Sequence, residues 1–161
     1  AIRVLHEYDG KEFKSVSSGD LGVSETEEEK KAAEEQQKDC KALLEYMKEA
    51  LSGKVAEVRL SQRLKSHPVC LTSGEGLSLE MEKVLNAMPT EEKVQAERVL
   101  EINSSHPVLD ALKKNFEEGG EPGKEKVKDY VDLLYEQALL IEGLPIEDPV
   151  AFSNKVCALL V

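Results

Sequence analysis

The sequence predicts an α+β fold, in which a small three-stranded sheet is packed with helices, preceded by a long helix and followed by a C-terminal helical hairpin. Apolar and polar residues alternate over 57–64, which is the period of a half-buried strand. Two more short apolar runs, 69–72 and 98–103, are typical of strands. Residues 124–161 instead repeat apolar side chains at intervals of three and four, the spacing of one helix face.

The terminal hairpin should consist of two helices joined at Gly143-Leu144-Pro145. Gly143 suits the C′ position of the first helix, and Asp148-Pro149 suits the N-cap and first residue of the second. The apolar sectors of both helices are wider than one face, which predicts burial on two sides. Either a second copy covers them in a two-fold four-helix bundle, or the rest of the same chain does. The dimer hypothesis selects Leu133, Leu140, Phe152, Val156, Leu159 and Leu160 as interface residues.

A long helix is predicted between Ser24 and Ser52. Ser24 with Glu27 forms a capping-box pattern, and Gly53 suits the C′ position. The first half of this helix is almost entirely Glu, Lys, Gln and Ala, which is typical of a helix that stands in solvent or bridges two domains. The second half should dock on the core through a stripe of Cys40, Leu43, Leu44, Met47 and Leu51.

Residues 1–23 should belong to a preceding domain or pack on the rest of this chain, with a turn at 8–11 between short extended pieces. Ser104-Ser105-His106 before Pro107 predicts a helix that starts at the proline. Its Val108, Leu112 and Phe116 should share one face, and the glycine-rich residues 119–123 should form a loop.

A further helix, capped by Ser78 and stopped by Pro89, is predicted between the second and third strands. It holds two of the three methionines, and methionine suits surfaces that must fit many partners because it repacks easily. Its spacing is compatible both with an ordinary helix packed on the sheet and with a mobile binding helix. The apolar stripe, which spans about one hundred degrees, consists of Leu77, Met81, Val84, Leu85 and Met88.

Composition excludes several classes of partner. The net charge is −11, with 32 acidic against 21 basic residues, so the chain should repel nucleic acid. No apolar run approaches the roughly 18 residues of a membrane span, and no signal-peptide pattern is present. Cys40, Cys70 and Cys157 are odd in number and scattered, which predicts free thiols in a reducing cytoplasm.

No catalytic or metal-binding motif is found. Residues 119–124 faintly resemble a phosphate-binding loop, but the glycines are one residue too close and Glu125 stands where Ser or Thr is needed. His67 and Cys70 have metal-ligand spacing without a second pair, so no metal site is expected. His67 and His106, in two copies of Ser-His-Pro-Val, should make turn or cap hydrogen bonds. An enzyme is therefore not predicted.

Three motifs resemble the C-terminal domain of the heat-shock-protein-90 (Hsp90) chaperone family, most closely its bacterial form. They are EVRLSQRLKSHP at 57–68, VLEINSSHP at 99–107, and LLYEQALLIEG at 133–143 followed by EDP at 147–149. EYDGK at 7–11 and Ser15-Val16 are similar to the end of that family's middle domain. The resemblance thus covers essentially the whole chain and implies that 1–23 end the middle domain and 24–161 form the dimerisation domain.

The resemblance implies a homodimeric, ATP-driven folding chaperone of the cytoplasm whose ATP and magnesium bind in an N-terminal domain, so no cofactor is expected here. It also implies that the terminal hairpin is the permanent dimerisation element and that Leu77 to Met88 contact unfolded client proteins. The chain ends at Val161 without the acidic tail of eukaryotic cytosolic members, so no tail-dependent co-chaperone is expected. The alternative is a monomeric adaptor or scaffold domain whose exposed helix binds one specific partner.

Overall fold

The computed structural model has the predicted α+β architecture. A three-stranded sheet lies among helices, and the hairpin of two helices comes after it in the chain. The predictions of a cap at Ser24 and of extended pieces at 2–5 and 13–16 lie outside the described residues. The residues that the structure describes are 7–8, 11–12, 27–74, 76–89 and 93–160.

The elements are numbered in chain order. The first two strands are antiparallel and pair Tyr8 with Lys11, and residues 9–10 of the predicted turn lie outside the described residues. The elements are β1 (Glu7–Tyr8), β2 (Lys11–Glu12), α1 (Glu27–Asp39), α2 (Lys41–Ala50), β3 (Glu57–Ser61), β4 (Val69–Ser73), α3 (Leu79–Ala87), β5 (Arg98–Asn103), α4 (Pro107–Glu118), α5 (Gly120–Ile141) and α6 (Pro149–Ala158).

The sheet is mixed, with β5 in its centre. β5 runs parallel to β3 and antiparallel to β4. Leu100 pairs with Val58 and with Leu71, so apolar side chains line up across one face. β3 is shorter than the predicted 57–64, because β5 ends opposite Ser61 and leaves no strand residue for Leu64 to pair with.

One hydrophobic core lies between this face of the sheet and helices α2, α4 and α5. The predicted docking stripe of α2 is confirmed, since all five of its residues are buried. In α4, Leu112 is buried and Val108 and Phe116 pack against the core. The residues that α5 contributes are Val127, Val131, Leu134, Tyr135, Ala138 and Leu139.

The single long helix predicted before the sheet is instead two helices that meet at Cys40. The hydrogen bonds from Cys40 N to Gln36 O and from Leu44 N to Cys40 O continue the helical pattern, but Cys40 has φ −91° and ψ 0°. Cys40 is buried in the core, whereas α1 is mostly exposed where described. The boundary between α1 and α2 therefore lies where the chain passes from solvent to core. After α2, both Ser52, with φ +48°, and Gly53, the glycine predicted at the C′ position, with φ +81°, lie in the left-handed region.

The loop predicted at 119–123 is wrong, because α5 begins at Gly120. That glycine, with φ +57°, reverses the chain directly after α4. A Cβ on Gly123 would lie 2.2 Å from the backbone oxygen of Asn115. Glycine is thus needed for close approach of two helices rather than for flexibility. α4 begins at Pro107 as predicted, and His106 Nδ1 accepts from Val108 N at 3.1 Å, so the predicted cap role of His106 is confirmed.

The turn between α5 and α6 confirms the predicted caps. Gly143 has φ +67°, and its N–H donates to Leu140 O, while Leu144 N–H donates to Leu139 O at 2.8 Å. These two bonds form a Schellman motif, with Leu144 buried beneath it. Asp148 Oδ1 then accepts from Val150 N and Ala151 N at the start of α6.

The opposite face of the sheet holds a buried carboxylate. Glu101 accepts from Arg59 Nη2 at 2.6 Å and from Arg63 Nη2 at 2.9 Å. Burial alone disfavours its ionised form, but the two arginines outweigh that effect and hold the pKa of Glu101 below its ordinary value. Burial, with the nearby Glu101 carboxylate, raises the pKa of the Cys70 thiol to about 11, so this thiol stays protonated at neutral pH.

Glu101→Gln is expected to lower the free energy of unfolding by about 2–3 kcal/mol at pH 7, because two partly buried arginines lose their counter-charge. The pKa of Glu101 is lowered in the folded chain, so its ionisation stabilises the fold above about pH 4.3 and this stabilisation is lost as the pH falls through the lowered pKa. Urea denaturation from about pH 5 to about pH 2 should therefore show a steeper loss in the wild type than in the variant. The matched control is Glu57→Gln at an exposed position of β3, and equal pH slopes for both variants would contradict the expectation.

Candidate interaction surfaces

Helix α3 rests on the domain through a chain of polar contacts. The buried carboxylate of Glu82 accepts from Ala96 N and from Arg98 Nη2, both at 2.8 Å. Arg98 also donates through Nη1 to Tyr135 Oη at 2.7 Å. Because Arg98 lies on β5 and Tyr135 on α5, these bonds connect α3 to both the sheet and the hairpin.

Further polar contacts fix the same side of α3. Asn86 accepts from Val94 N at 2.9 Å and donates to Val94 O at 2.8 Å. The Lys83 ammonium group donates to the carbonyl oxygen of Glu142, at the end of α5. Only Leu79 adds a buried apolar side chain from within the helix. Hydrogen bonds, more than apolar packing, therefore hold α3 in place.

The predicted apolar stripe of α3 does not face the core as a whole. Met81, Val84 and Met88 are between 40% and 51% exposed. Leu77 packs partly against the core, and Leu85 is half-buried. The Ser78 cap is as predicted, with its Oγ accepting from Met81 N at 3.2 Å. The stripe thus divides into two partly covered leucines and three exposed residues.

Sequence reasoning missed the side of α3 that docks. Leu79, Glu82 and Asn86 recur at three and four residues, so they share one face. Two of the three are polar, which is the pattern typical of the solvent side of an amphipathic helix. The signal that could have found this face is the leucine within it, at a position opposite to the methionines.

The terminal hairpin carries the other exposed apolar surface. No residue of α6 is buried, although the helix contains Phe152 and two valines. Leu140 and Ile141 are exposed near the end of α5, while Leu133 and Phe152 are half-buried. Of the six residues predicted for the interface, the four that are from 38% to 81% exposed are Leu140, Val156, Leu159 and Leu160.

Ion pairs attach α6 to its own chain. Lys155 contacts the carboxylates of Asp132 and Glu136 on α5, and Asp132 also accepts from Lys54 at 3.1 Å. Burial opposes ionisation of Asp132, but the two lysines outweigh it and lower the pKa of this carboxyl. Partly exposed pairs of this kind contribute about 1 kcal/mol or less each. Within the described part of the chain, Val150 and Val156 of α6 and the following Leu159 and Leu160 stay exposed, whereas Phe152 is partly covered.

A compact α+β domain with two separate sets of exposed apolar helical residues is typical of an assembly or binding domain. Among the described residues, no group of three His, Cys, Asp or Glu side chains is placed to hold a metal ion. Likewise, none of the described helices is both long and apolar enough to cross a membrane.

Comparison with known proteins gives the family. The family model described as Hsp90 protein matches residues 1–161. The chain is 57% identical over 160 residues to chaperone protein HtpG of Halalkalibacterium halodurans, and 55% identical over 161 residues to that of Bacillus subtilis. It is 56% identical over 160 residues to HtpG of Clostridium botulinum, and these matches cover at least 99% of the chain.

The chain belongs to the Hsp90 family, and its relatives are chaperones by name. It spans about a quarter, 25%, of the length of the curated relatives that it matches. The Hsp90 family expected from the three sequence motifs is thereby confirmed.

Proposed function

We propose that this chain is the homodimerisation domain of an ATP-dependent molecular chaperone that assists protein folding. The observation that carries the proposal is α6, a ten-residue helix with no buried residue, in which Val150 and Val156 are exposed and after which Leu159 and Leu160 are exposed too. An isolated helix shorter than about 12 residues is marginal in water, and the ion pairs of Lys155 and the half-buried Phe152 cover α6 only in part, so α6 needs more packing than its own chain supplies. A second copy supplies it.

A two-fold pairing of the α5–α6 hairpin accounts for these exposed residues. Each chain contributes two helices to a four-helix bundle, and the same residues meet on both sides of the axis. Leu133 and Leu140 enter from α5, and Phe152, Val156, Leu159 and Leu160 enter from α6. The exposure of four of these side chains argues against the alternative in which the same chain covers both faces of the hairpin.

The stripe on α3 forms a second contact surface, for unfolded or partly folded client proteins. Exposed methionine side chains adapt to differing partners at low cost, and Met81 and Met88 lie beside the exposed Val84. Leu77 and Leu85 complete the surface. The named relatives are chaperones, which supports a binding role for exposed apolar residues that the fold does not use.

The rest of the assignment rests on family membership and sequence. The domain performs no catalysis and holds no cofactor, while ATP and magnesium bind in another domain of the full-length chaperone. Residues 1–23 end the preceding middle domain, and residues 24–161 form the dimerisation domain. The protein acts in the cytoplasm, and with a net charge of −11 it does not bind nucleic acid.

Sedimentation equilibrium at micromolar concentration tests the assembly. A dimer is expected, with about twice the 17.8 kDa mass of one chain. A species of 17.8 kDa alone would contradict the dimer and favour the adaptor alternative, in which α3 binds one specific partner. In that case one partner should bind with defined stoichiometry, and unrelated unfolded proteins should not.

A further inference from the structure

Helix α3 docks by the side opposite to its apolar stripe. Successive residues of an α-helix are about 100° apart, which places Leu79, Glu82 and Asn86 roughly half a turn from the centre of the exposed stripe. Glu82 is buried, whereas Met81 and Met88 are 40% and 48% exposed. An amphipathic helix on a globular domain ordinarily has the reverse orientation, with its apolar side inward.

The polar contacts oppose that ordinary orientation. If α3 turned by half a turn about its axis, Met81, Val84 and Met88 would leave water. Glu82 and one apolar side chain, Leu79, would enter it, so more apolar side chains would be covered than exposed. The hydrophobic effect and the hydration of a carboxylate both favour such a turn. Some interaction must therefore hold Glu82 in its buried position, and it must stabilise the carboxylate more than hydration does.

Two groups bind the Glu82 carboxylate, the backbone N–H of Ala96 and the guanidinium of Arg98, and of the two only Arg98 carries a charge. The Asn86 bonds end on Val94, which belongs to the segment leading into β5, and Lys83 makes one bond to a carbonyl oxygen. Arg98, in contrast, is a fixed point, because its side chain is only 12% exposed and Tyr135 holds its other terminal nitrogen. Among the described residues, Arg98 Nε is buried without a hydrogen-bond partner. Arg98 thus keeps its contacts to Glu82 and Tyr135 although one of its N–H groups stays unsatisfied.

We propose that Arg98 is a positioning residue for the contact surface: held by Tyr135, it binds Glu82 and thereby presents Met81, Val84 and Met88 to partners. The use of that surface for clients rests on the proposed function above, whereas the orientation of α3 does not. The planar guanidinium suits the task because it reaches a hydroxyl and a carboxylate at once with fixed geometry.

The test compares methionine oxidation in wild type, Arg98→Leu and Tyr135→Phe. Dilute peroxide is applied at low extent, and oxidation of each methionine is followed by mass spectrometry, since oxidation rate depends on exposure. Without the guanidinium, Glu82 turns outward and the stripe turns inward, so oxidation of Met81 and Met88 should slow by about threefold or more. Tyr135→Phe keeps the ring and loosens Arg98, and should slow oxidation in the same direction by a smaller factor.

The chain provides its own controls. Met47 is 0% exposed, and its continued protection reports that the variant is folded. Arg59→Leu removes a different arginine from a buried carboxylate and should leave Met81 and Met88 oxidation unchanged. If Met47 becomes oxidised in Arg98→Leu, that variant is not folded, and the result for Tyr135→Phe alone tests the positioning role of Arg98.

Unchanged oxidation of Met81 and Met88 in the folded variants overturns the positioning role. Faster oxidation overturns it too, because it means that α3 detaches instead of turning. These measurements contain no client, so failure of the wild-type chain to hold unfolded protein would contradict the proposed function without changing the result for Arg98.

Discussion

Leu140→Glu and Leu160→Glu, made separately, are each expected to convert a micromolar dimer into folded monomers. Leu140 is 50% and Leu160 is 81% exposed in the single chain, so glutamate at either position is solvated in the monomer. In a two-fold bundle each substitution places two carboxylates against apolar side chains. At about 2 kcal/mol or more per unpaired buried charge, the dissociation constant should rise on the order of a thousandfold.

These two positions give a cleaner test than Leu133, which is half-buried within its own chain and could alter the protomer itself. Ala111→Glu is the matched control, since it adds the same charge at an exposed position of α4. Sedimentation equilibrium gives the mass, and thermal melting by circular dichroism gives the fold. Dimers of unchanged affinity in both leucine variants would place the interface elsewhere.

Local signals in the sequence are sufficient for most of the fold. The caps at Ser78, His106 and Asp148 depend on residues within three positions of each other, and all three are present. The alternation over β3, the short apolar runs of β4 and β5, and the period-3.6 stripe of α2 likewise identify these elements. Such features are local because backbone groups at a helix end, or side chains on one face, are fixed by near neighbours.

Features that depend on distant residues are not predictable in this way. The pairing of Glu101 with Arg59 joins residues from two strands, and alternation alone assigns Glu101 to an outward face. The sequence pattern places Gly123 in a loop, because the reason for this glycine, the approach of the Asn115 carbonyl, appears only when α4 and α5 pack.

The candidate site divides in the same way. The apolar stripe on α3 and the excess of apolar residues on the hairpin can be counted from the sequence. The direction in which α3 presents its stripe cannot be predicted from the sequence, because it depends on Arg98, which belongs to β5. Helical periodicity gives the angle between two faces of a helix, but the groups on the neighbouring elements decide which face is inside.

Met81→Asp combined with Met88→Asp should leave the domain folded and weaken its capture of unfolded protein about tenfold or more. Both side chains lie away from the contacts that anchor α3, so their loss removes no core packing. If each contributes about 1 kcal/mol of apolar burial to a complex, and a carboxylate there adds a desolvation cost, the sum exceeds the roughly 1.4 kcal/mol of a tenfold change. Fluorescence anisotropy of a labelled, reduced and carboxymethylated protein that cannot refold measures the binding.

The control for this pair is Ala87→Asp with Ala111→Asp, which adds the same two charges at exposed positions outside the stripe. Because the net charge of −11 already repels acidic clients, this control separates a general increase in repulsion from loss of the apolar contact. Equal weakening by both pairs would assign the effect to charge. Unfolding of the methionine pair alone would mean that Met81 and Met88 support the fold, and the client surface would then have to be sought on another element.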